Sequence, residues 1–318
     1  MTFGNARPQS QAVSSLEQTP PLWIAIVANW AQGEGLSGGD RIAIQSSRLW
    51  HQSGDAMIRV HTSEDGWDMW RRMKADPIPH QIWSARARQG VPVLLRLVAR
   101  TVRSAWQSVI GGLGGADIVV SASDFLPDVL PGFIRKTMNR RVCWIQKIYH
   151  LVPSSRTGPH WAQRISVYFI RRLADLVIVD NSILKKELEG MGFRSERIEV
   201  NYPGIDVGYF RTINGAGKKS YDGVFLGRLH PSKGIFDLIE IWSLVVARAP
   251  HARLAIVGGG DEGVRKELEA RIGAAGLSSC VDLLGTLGDE EAFGTIKAGQ
   301  VFLFPSREEG FGMAILEA

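Results

Sequence analysis

Eight short apolar runs, each closed by glycine or polar residues and then followed by a helical pattern, constrain this chain more than any other feature. They are Leu22–Val27, Ala116–Ser121, Val142–Ile148, Leu176–Asp180, Gly223–Gly227, Arg253–Val257, Val281–Leu284 and Val301–Pro305. Strands that are apolar on both sides must be covered on both faces. Joined by helical stretches of about 10–15 residues, they predict parallel sheets and an α/β fold. The chain has 318 residues, enough for two domains. The polar, glycine-containing stretch Thr212–Tyr221, TINGAGKKSY, separates two series of runs. The expected organisation is therefore a frayed terminus (1–20), an N-terminal domain (21–211), a linker (212–221) and a C-terminal domain (222–318). The second series holds four strands, fewer than the usual five or six, so that domain reads as either unusually small or incomplete.

Composition removes several classes. With 45% hydrophobic and 22% charged residues the chain is neither disordered nor fibrous. No apolar run reaches the roughly 18 residues of a spanning helix, because Val91–Ile110 is interrupted by Arg96, Arg100 and Arg103. The first 20 residues lack the apolar core of a secretory signal, which leads to an expectation of a cytoplasmic protein. Two cysteines, Cys143 and Cys280, are too few for a disulfide framework or a Cys-ligated zinc site, and both are expected to be buried small hydrophobes.

The net charge of +5 is unevenly spread. Residues 1–205 carry 25 Lys/Arg against 17 Asp/Glu, and residues 206–318 carry 12 against 15. Pro77–Ala116 and Pro131–Ala174 contain no acidic residue at all. Such a field attracts phosphates. Nucleic acid is not the expected partner, since no recognisable reading module accompanies the cations. Within the first acid-free stretch, Arg96, Arg100, Arg103 and Gln107 recur opposite Val98, Val102, Trp106 and Val109. This is the pattern of a basic amphipathic helix lying on an anionic membrane surface; the plain alternative is an ordinary surface helix packed on its domain.

Candidate chemistry concentrates in strand-to-helix loops. In PSREEGFGMAILEA, Pro305–Ala318, a buried strand delivers a loop that opens a helix, the place where ligands bind in open α/β sheets. Gly310 and Gly312 allow close backbone approach, and Glu309 and Glu317, eight residues apart, can flank one polyol ligand. On spacing alone the plainer reading is favoured, Glu309 as a helix-start residue and Glu317 as a surface residue, and the surrounding PS-x-x-EGFG-x-x-x-LEA context shifts it. In GRLHPSKG, Arg228 and Lys233 stand beside the next helix start and suit a diphosphate, or else are surface cations. Gly258, Gly260 and Gly263 form a literal G-x-G-x-x-G after a strand, with Asp282 about 20 residues on. Asp261 and Glu262 would oppose a pyrophosphate there, so a tight turn is preferred over a dinucleotide site. Gly33, Gly35, Gly38 and Gly39 predict a loop before a helix at Arg41, either a surface loop or one folding over a phosphate, and His150 falls just past a strand end.

Taken in order, LSGGDR (36–41), the strand leading to His150, ADLVIVDNSILKKEL (174–188), ERIEVNYPGIDVGYF (196–210), GRLHPSKG (227–234), LAIVGGG (254–260) and PSREEGFGMAILEA resemble a retaining glycosyltransferase of family 4, within the glycosyl transferases group 1. The resemblance implies a GT-B fold, two Rossmann-like domains facing a cleft, with the C-terminal one holding a nucleotide sugar and the N-terminal one an acceptor. It implies that Arg228 and Lys233 hold the donor diphosphate, Glu317 the ribose, and that Gly310, Phe311 and Gly312 line the donor. Glu309 would lie by the transferred sugar, His150 would approach it from the other domain, and Gly38 and Gly39 would line the phosphate side. It further implies transfer of a hexosyl unit, with retention, to a glycan or lipid-linked acceptor, without metal or other cofactor, in keeping with the lack of a D-x-D segment. A nucleotide-sugar epimerase of the same fold, or an inactive sugar-nucleotide-binding fragment, shares these residues.

Overall fold

The computed structural model describes residues 21–30, 38–88, 90–154, 156–213 and 220–318. The expected frayed terminus, Gly33, Gly35 and most of the expected linker lie outside the described residues. The first half contains β1 (Leu22–Ala28), α1 (Gly38–Ser53), β2 (Ala56–Ser63), α2 (Glu64–Arg72), β3 (His80–Ser84), α3 (Val93–Val109), β4 (Ile118–Ser121), α4 (Leu126–Met138), β5 (Cys143–Ile148), α5 (Thr157–Leu173), β6 (Leu176–Val179), α6 (Ser182–Gly190) and β7 (Ile198–Val200). The second contains α7 (Val207–Thr212), β8 (Tyr221–Leu226), α8 (Ile235–Arg248), β9 (Leu254–Val257), α9 (Glu262–Ala274), β10 (Val281–Gly285), α10 (Asp289–Lys297), β11 (Gly299–Phe302) and α11 (Met313–Glu317).

All strand pairings among the described residues are parallel. The first sheet has the order β3-β2-β1-β4-β5-β6-β7 and the second β10-β9-β8-β11. Each reverses direction of growth beside its first strand, between β1 and β4 and between β8 and β11. In doubly wound sheets the crevice at that reversal, outside the carboxyl ends of the strands, is where ligands bind. All eight expected strands are present. Three more, β2, β3 and β7, were not expected: β2 carries Arg59 and His61 within its run, β3 is a mostly exposed edge, and β7 has three residues.

Helices cover both faces by burying one stripe each. In α8 the buried residues are Ile235, Leu238, Ile239 and Trp242, the i, i+3, i+4, i+7 pattern, set against Leu254 and Ile256 of the sheet. Each such side chain contributes about 1.5–3 kcal/mol over exposure. Helix α3 departs from this rule and from the expected orientation. The face carrying Arg100 turns inward, where Arg100, Ser104 and Ser108 are buried, and Val98, Val102 and Trp106 point out. Arg100 Nη2 donates to both oxygens of Asp65, at 2.6 and 2.7 Å, and Nη1 to the Asn29 carbonyl at 3.2 Å. Of the two cysteines, Cys280 is buried and Cys143 only half-buried.

Candidate active site

The loops after β8 and β11 are built as one unit. After β8 the chain makes a short 3-10 turn, Pro231–Lys233, and Gly234 at φ +67° starts α8. A side chain at Gly234 would strike the Pro305 carbonyl, so only glycine lets the two loops meet. Ser232 O then accepts from the Arg307 N–H at 2.8 Å, and Lys233 Nζ donates to Glu308 O at 3.2 Å. Lys233 Nζ also lies 2.6 Å from Glu309 Oε1. No side chain hydrogen-bonds the start of α8 among the described residues. Its first N–H groups therefore add positive character beside Lys233.

The N-terminal half meets this unit across the cleft. Asn181 caps α6 by accepting from Leu184 N at 2.8 Å, and its Nδ2 donates to Gly310 O at 3.0 Å. A Cβ on Gly310 would lie 2.9 Å from the Tyr149 carbonyl oxygen and 3.8 Å from His150 Cβ. The Tyr149 hydroxyl donates to Gly39 O at 2.9 Å, and Gly38 packs on Met313. Burial, with the nearby Asp180, Asp40, Asp124 and Asp128 carboxylates, keeps the Tyr149 hydroxyl protonated well above the ordinary tyrosine range. Phe311 stands 6.4 Å from Tyr202, ring to ring. The expected residues His150, Gly38, Gly39, Lys233, Glu309, Gly310, Phe311, Gly312 and Glu317 thus share one cleft. Gly38 and Gly39 are the first residues of α1 and not part of the preceding loop, since α1 begins ahead of Arg41.

Arg228 stands at the rim, exposed and with no ion pair among the described residues. Its charge nonetheless reaches His230, which burial and then Arg228, Arg156 and Lys233 push below the usual histidine value, against Glu308. These cations therefore form one electropositive cluster. Arg156, at the start of α5, carries no local sequence signal of a site; it enters by pairing with Glu308 across the cleft at 3.1 Å.

Glu317 is neither on the surface nor two turns into its helix. It ends α11 within about one turn, and its side chain is 7% exposed. Arg41 Nε lies 3.5 Å from its Oε1 while Nη1 and Nη2 hold Asp289 at 3.0 Å each. Burial lowers the Arg41 guanidinium, but the hydrogen bond to Asp289 and the charges of Glu317 and Asp289 outweigh it and raise it overall. Burial likewise raises Glu317, with Arg41 opposing. Two further acids, Asp124 and Asp128, were also invisible in the sequence. Asp124 is raised by burial, opposed by a hydrogen bond from Gln163 and the charge of His150. Gln163 Nε2 also donates to the His150 carbonyl at 2.7 Å, so one amide ties Asp124 to the His150 backbone. Asp128 accepts from the N–H groups of Asn29 and Trp30, at 2.7 and 3.0 Å, at the carboxyl end of β1.

The G-x-G-x-x-G turn serves packing. Gly258 has φ +143°, a side chain there would strike the Gly227 carbonyl, and one on Gly260 would strike Leu229 O. Asp261 caps α9 by accepting from Gly263 N at 2.8 Å. Asp282 pairs with Arg253 at 2.6 Å, at the amino ends of β9 and β10 and away from the cleft. These are the features of a tight strand-to-helix turn.

Residues 221–318 match the family described as Glycosyl transferases group 1. The mannosylfructose-phosphate synthase of Agrobacterium fabrum is 30% identical over 165 residues, 47% of this chain and 36% of that one. The GDP-mannose:cellobiosyl-diphosphopolyprenol alpha-mannosyltransferase of Xanthomonas campestris is 26% identical over 215 residues, 66% of this chain and 55% of that one. The chain thus spans between about a third and just over half of these relatives' length. Among solved structures, Anabaena HepE in complex with UDP and glucose superposes with a TM-score of 0.70 at 19% identity, covering 93% of this chain and 78% of that one. Sucrose-phosphate synthase from Thermosynechococcus elongatus does so with 0.66 at 17%, over 93% and 78%.

Proposed function

From a chain whose residues 221–318 form a group 1 glycosyltransferase domain and whose fold is that of the GT-B glycosyltransferases, we propose that the cleft transfers a hexosyl unit from a nucleoside-diphosphate sugar to a glycan or lipid-linked acceptor, with retention of configuration. The observation that carries this reading is the convergence of Lys233, Glu309 and the Gly310–Gly312 loop with His150 and the Gly38–Gly39 start of α1. The names of the aligned relatives, a mannosyltransferase and a UDP-bound structure among them, support a nucleotide-sugar donor.

As the glycosidic bond breaks, negative charge accumulates on the leaving diphosphate. Arg228 and Lys233, with Arg156 close by and the uncapped start of α8, are donors for that charge, Lys233 exchanging its contact with Glu309 for the diphosphate. Stabilisation of this kind requires no metal, which is the basis for proposing a metal-independent transfer. Glu317 would meet the ribose, Glu309 and His150 the transferred sugar from opposite sides.

Calorimetric titration with UDP, GDP, ADP and NAD, of the wild type and of an Arg228→Ala, Lys233→Ala variant, tests the donor site. One nucleoside diphosphate should bind and the variant should lose it; binding of NAD alone, or of nothing by a folded chain, contradicts the reading. Activity unchanged by EDTA is expected. Product analysis without acceptor separates transfer from epimerisation, since an epimerase would release an altered nucleotide sugar with no acceptor present.

A further inference from the structure

Helix α3 is packed inside out. Leu94, Val98, Val102 and Trp106, one stripe at i, i+4 spacing, are 51–67% exposed, and Val109 continues it. A helix on a soluble domain normally buries such a stripe, and a contiguous exposed one marks a surface that something covers. The orientation is fixed from within. Arg100 is locked onto Asp65 and the Asn29 carbonyl, and Ser104 Oγ accepts from Asn29 Nδ2 at 2.7 Å. Turning the apolar side inward would leave the Asp65 carboxylate buried without its cation, which is strongly destabilising.

The surroundings of the stripe select what covers it. Residues 77–116 hold five arginines and no acid. Arg88, just before α3, is exposed, and so is Arg103, on it, whose Nε donates to the Trp83 carbonyl at 3.0 Å. The next helices continue the pattern: α4 packs on α3 and α5 on α4, residues 131–174 have no acid, and α5 presents Trp161, Ile165 and Tyr168 to solvent. A second copy of the chain would bring like arginines together across a two-fold axis.

We infer that α3 docks this chain on an anionic lipid bilayer, the Leu94–Val98–Val102–Trp106 stripe entering the acyl boundary and Arg88 and Arg103 meeting lipid phosphates. Apolar insertion flanked by guanidiniums is the composition that binds such surfaces. The inner side of the same helix holds Asn29 at the carboxyl end of β1, so docking brings the N-terminal rim of the cleft to within about one helix diameter, roughly 10 Å, of the lipid. The inference does not depend on the transferase reading, because it rests on the outer face of α3 and not on the donor loops.

Co-sedimentation of the full chain with phosphatidylcholine vesicles, and with mixed phosphatidylcholine–phosphatidylglycerol vesicles, tests it. The wild type should pellet with the mixed vesicles about tenfold or more better than with the neutral ones, and added salt should weaken it. A Val98→Ser, Val102→Ser, Trp106→Ser variant should lose about tenfold or more, and an Arg88→Gln, Arg103→Gln variant should lose the preference for anionic lipid. Circular dichroism and melting identify variants that fold; should the triple variant fail, Trp106→Ser alone should still weaken pelleting measurably. No pelleting, equal pelleting with both vesicles, folded variants that pellet like the wild type, or a wild-type dimer in sedimentation equilibrium that the serine variant dissolves would each overturn it.

Discussion

Lys233 Nζ sits 2.6 Å from Glu309 Oε1, so the loop after β11 supplies the counter-charge for a cation proposed to hold the donor diphosphate. Both side chains are about a quarter exposed, 23% and 27%. Water screens such a pair, which is then worth no more than about 1 kcal/mol. A diphosphate, with more charge and more acceptor oxygens, displaces it readily.

A Glu309→Gln variant therefore separates two roles. Freed from its carboxylate, Lys233 should bind nucleoside diphosphate as well as in the wild type or up to about fivefold tighter, the gain matching about 1 kcal/mol. Transfer should fall by about 10²-fold or more, as expected for a carboxylate beside the reacting sugar. Calorimetry reads the first and product formation the second. A diphosphate affinity weakened tenfold would mean that Glu309 binds the donor and does not merely balance Lys233.

Arg41 ties α1 to α10 and α11 through Asp289 and Glu317. Removing it as Arg41→Ala leaves the Glu317 carboxylate 7% exposed with its cation gone. Losing one partner of a fully buried pair costs about 3–5 kcal/mol; Asp289, 40% exposed, returns to water, so a loss of about 2–3 kcal/mol is expected. Urea unfolding measures it, and Glu317→Gln in the Arg41→Ala background should recover about half. A loss under about 0.5 kcal/mol would show that the contact contributes little to holding the halves together.

Much of this was readable from local pattern. The apolar runs became strands, most of them covered on both faces with β11 an exposed edge, and the loops were marked by glycines whose missing side chains let Gly234 meet Pro305. Strands β2, β3 and β7 escaped because edge and polar-bearing strands lack that signature. The inversion of α3 was unreadable, since periodicity shows that a helix has two unlike faces and not which one finds a partner; Asp65, 35 residues from Arg100, decided it. Arg41, Arg156, Asp124 and Asp128 likewise acquire their roles from residues distant in sequence. Glu317 was identified from its motif, but its burial and its pairing with Arg41 required the assembled cleft.

The three glycines after β9 separate packing from ligand binding. Gly258→Ala meets both an unfavourable φ and the Gly227 carbonyl, and is expected to cost about 3 kcal/mol or more. Gly263→Ala lies in the first turn of α9, 3.0 Å from Asp261 Oδ1, and should change stability by less than about 1 kcal/mol because alanine favours the helix. Thermal melting distinguishes them. Equal stability of both variants, together with a loss of NAD binding in each, would restore the dinucleotide reading of this turn.

Asp128 makes stability depend on pH in an unusual direction. It is 1% exposed, accepts from the N–H groups of Asn29 and Trp30 and from Ser123 Oγ at 2.5 Å, and lies on α4 beneath the end of β1. Burial pushes its carboxyl up to about 7, its hydrogen bonds opposing and the charge of Asp40 adding to the rise. In the unfolded chain it titrates near 4. Between these values the native state holds a proton that the unfolded state has released. Its contribution is thus fully present below about pH 4 and is lost as pH rises through 7, a change of up to about 4 kcal/mol. In Asp128→Asn the amide oxygen still accepts both backbone N–H groups but cannot ionise, so the variant should gain on the wild type by about 2–4 kcal/mol between pH 4 and pH 8. Urea unfolding of both proteins across that range measures the difference. A constant difference would mean that Asp128 is ionised throughout, and that the two N–H groups at the end of β1 hold a carboxylate and not a carboxylic acid.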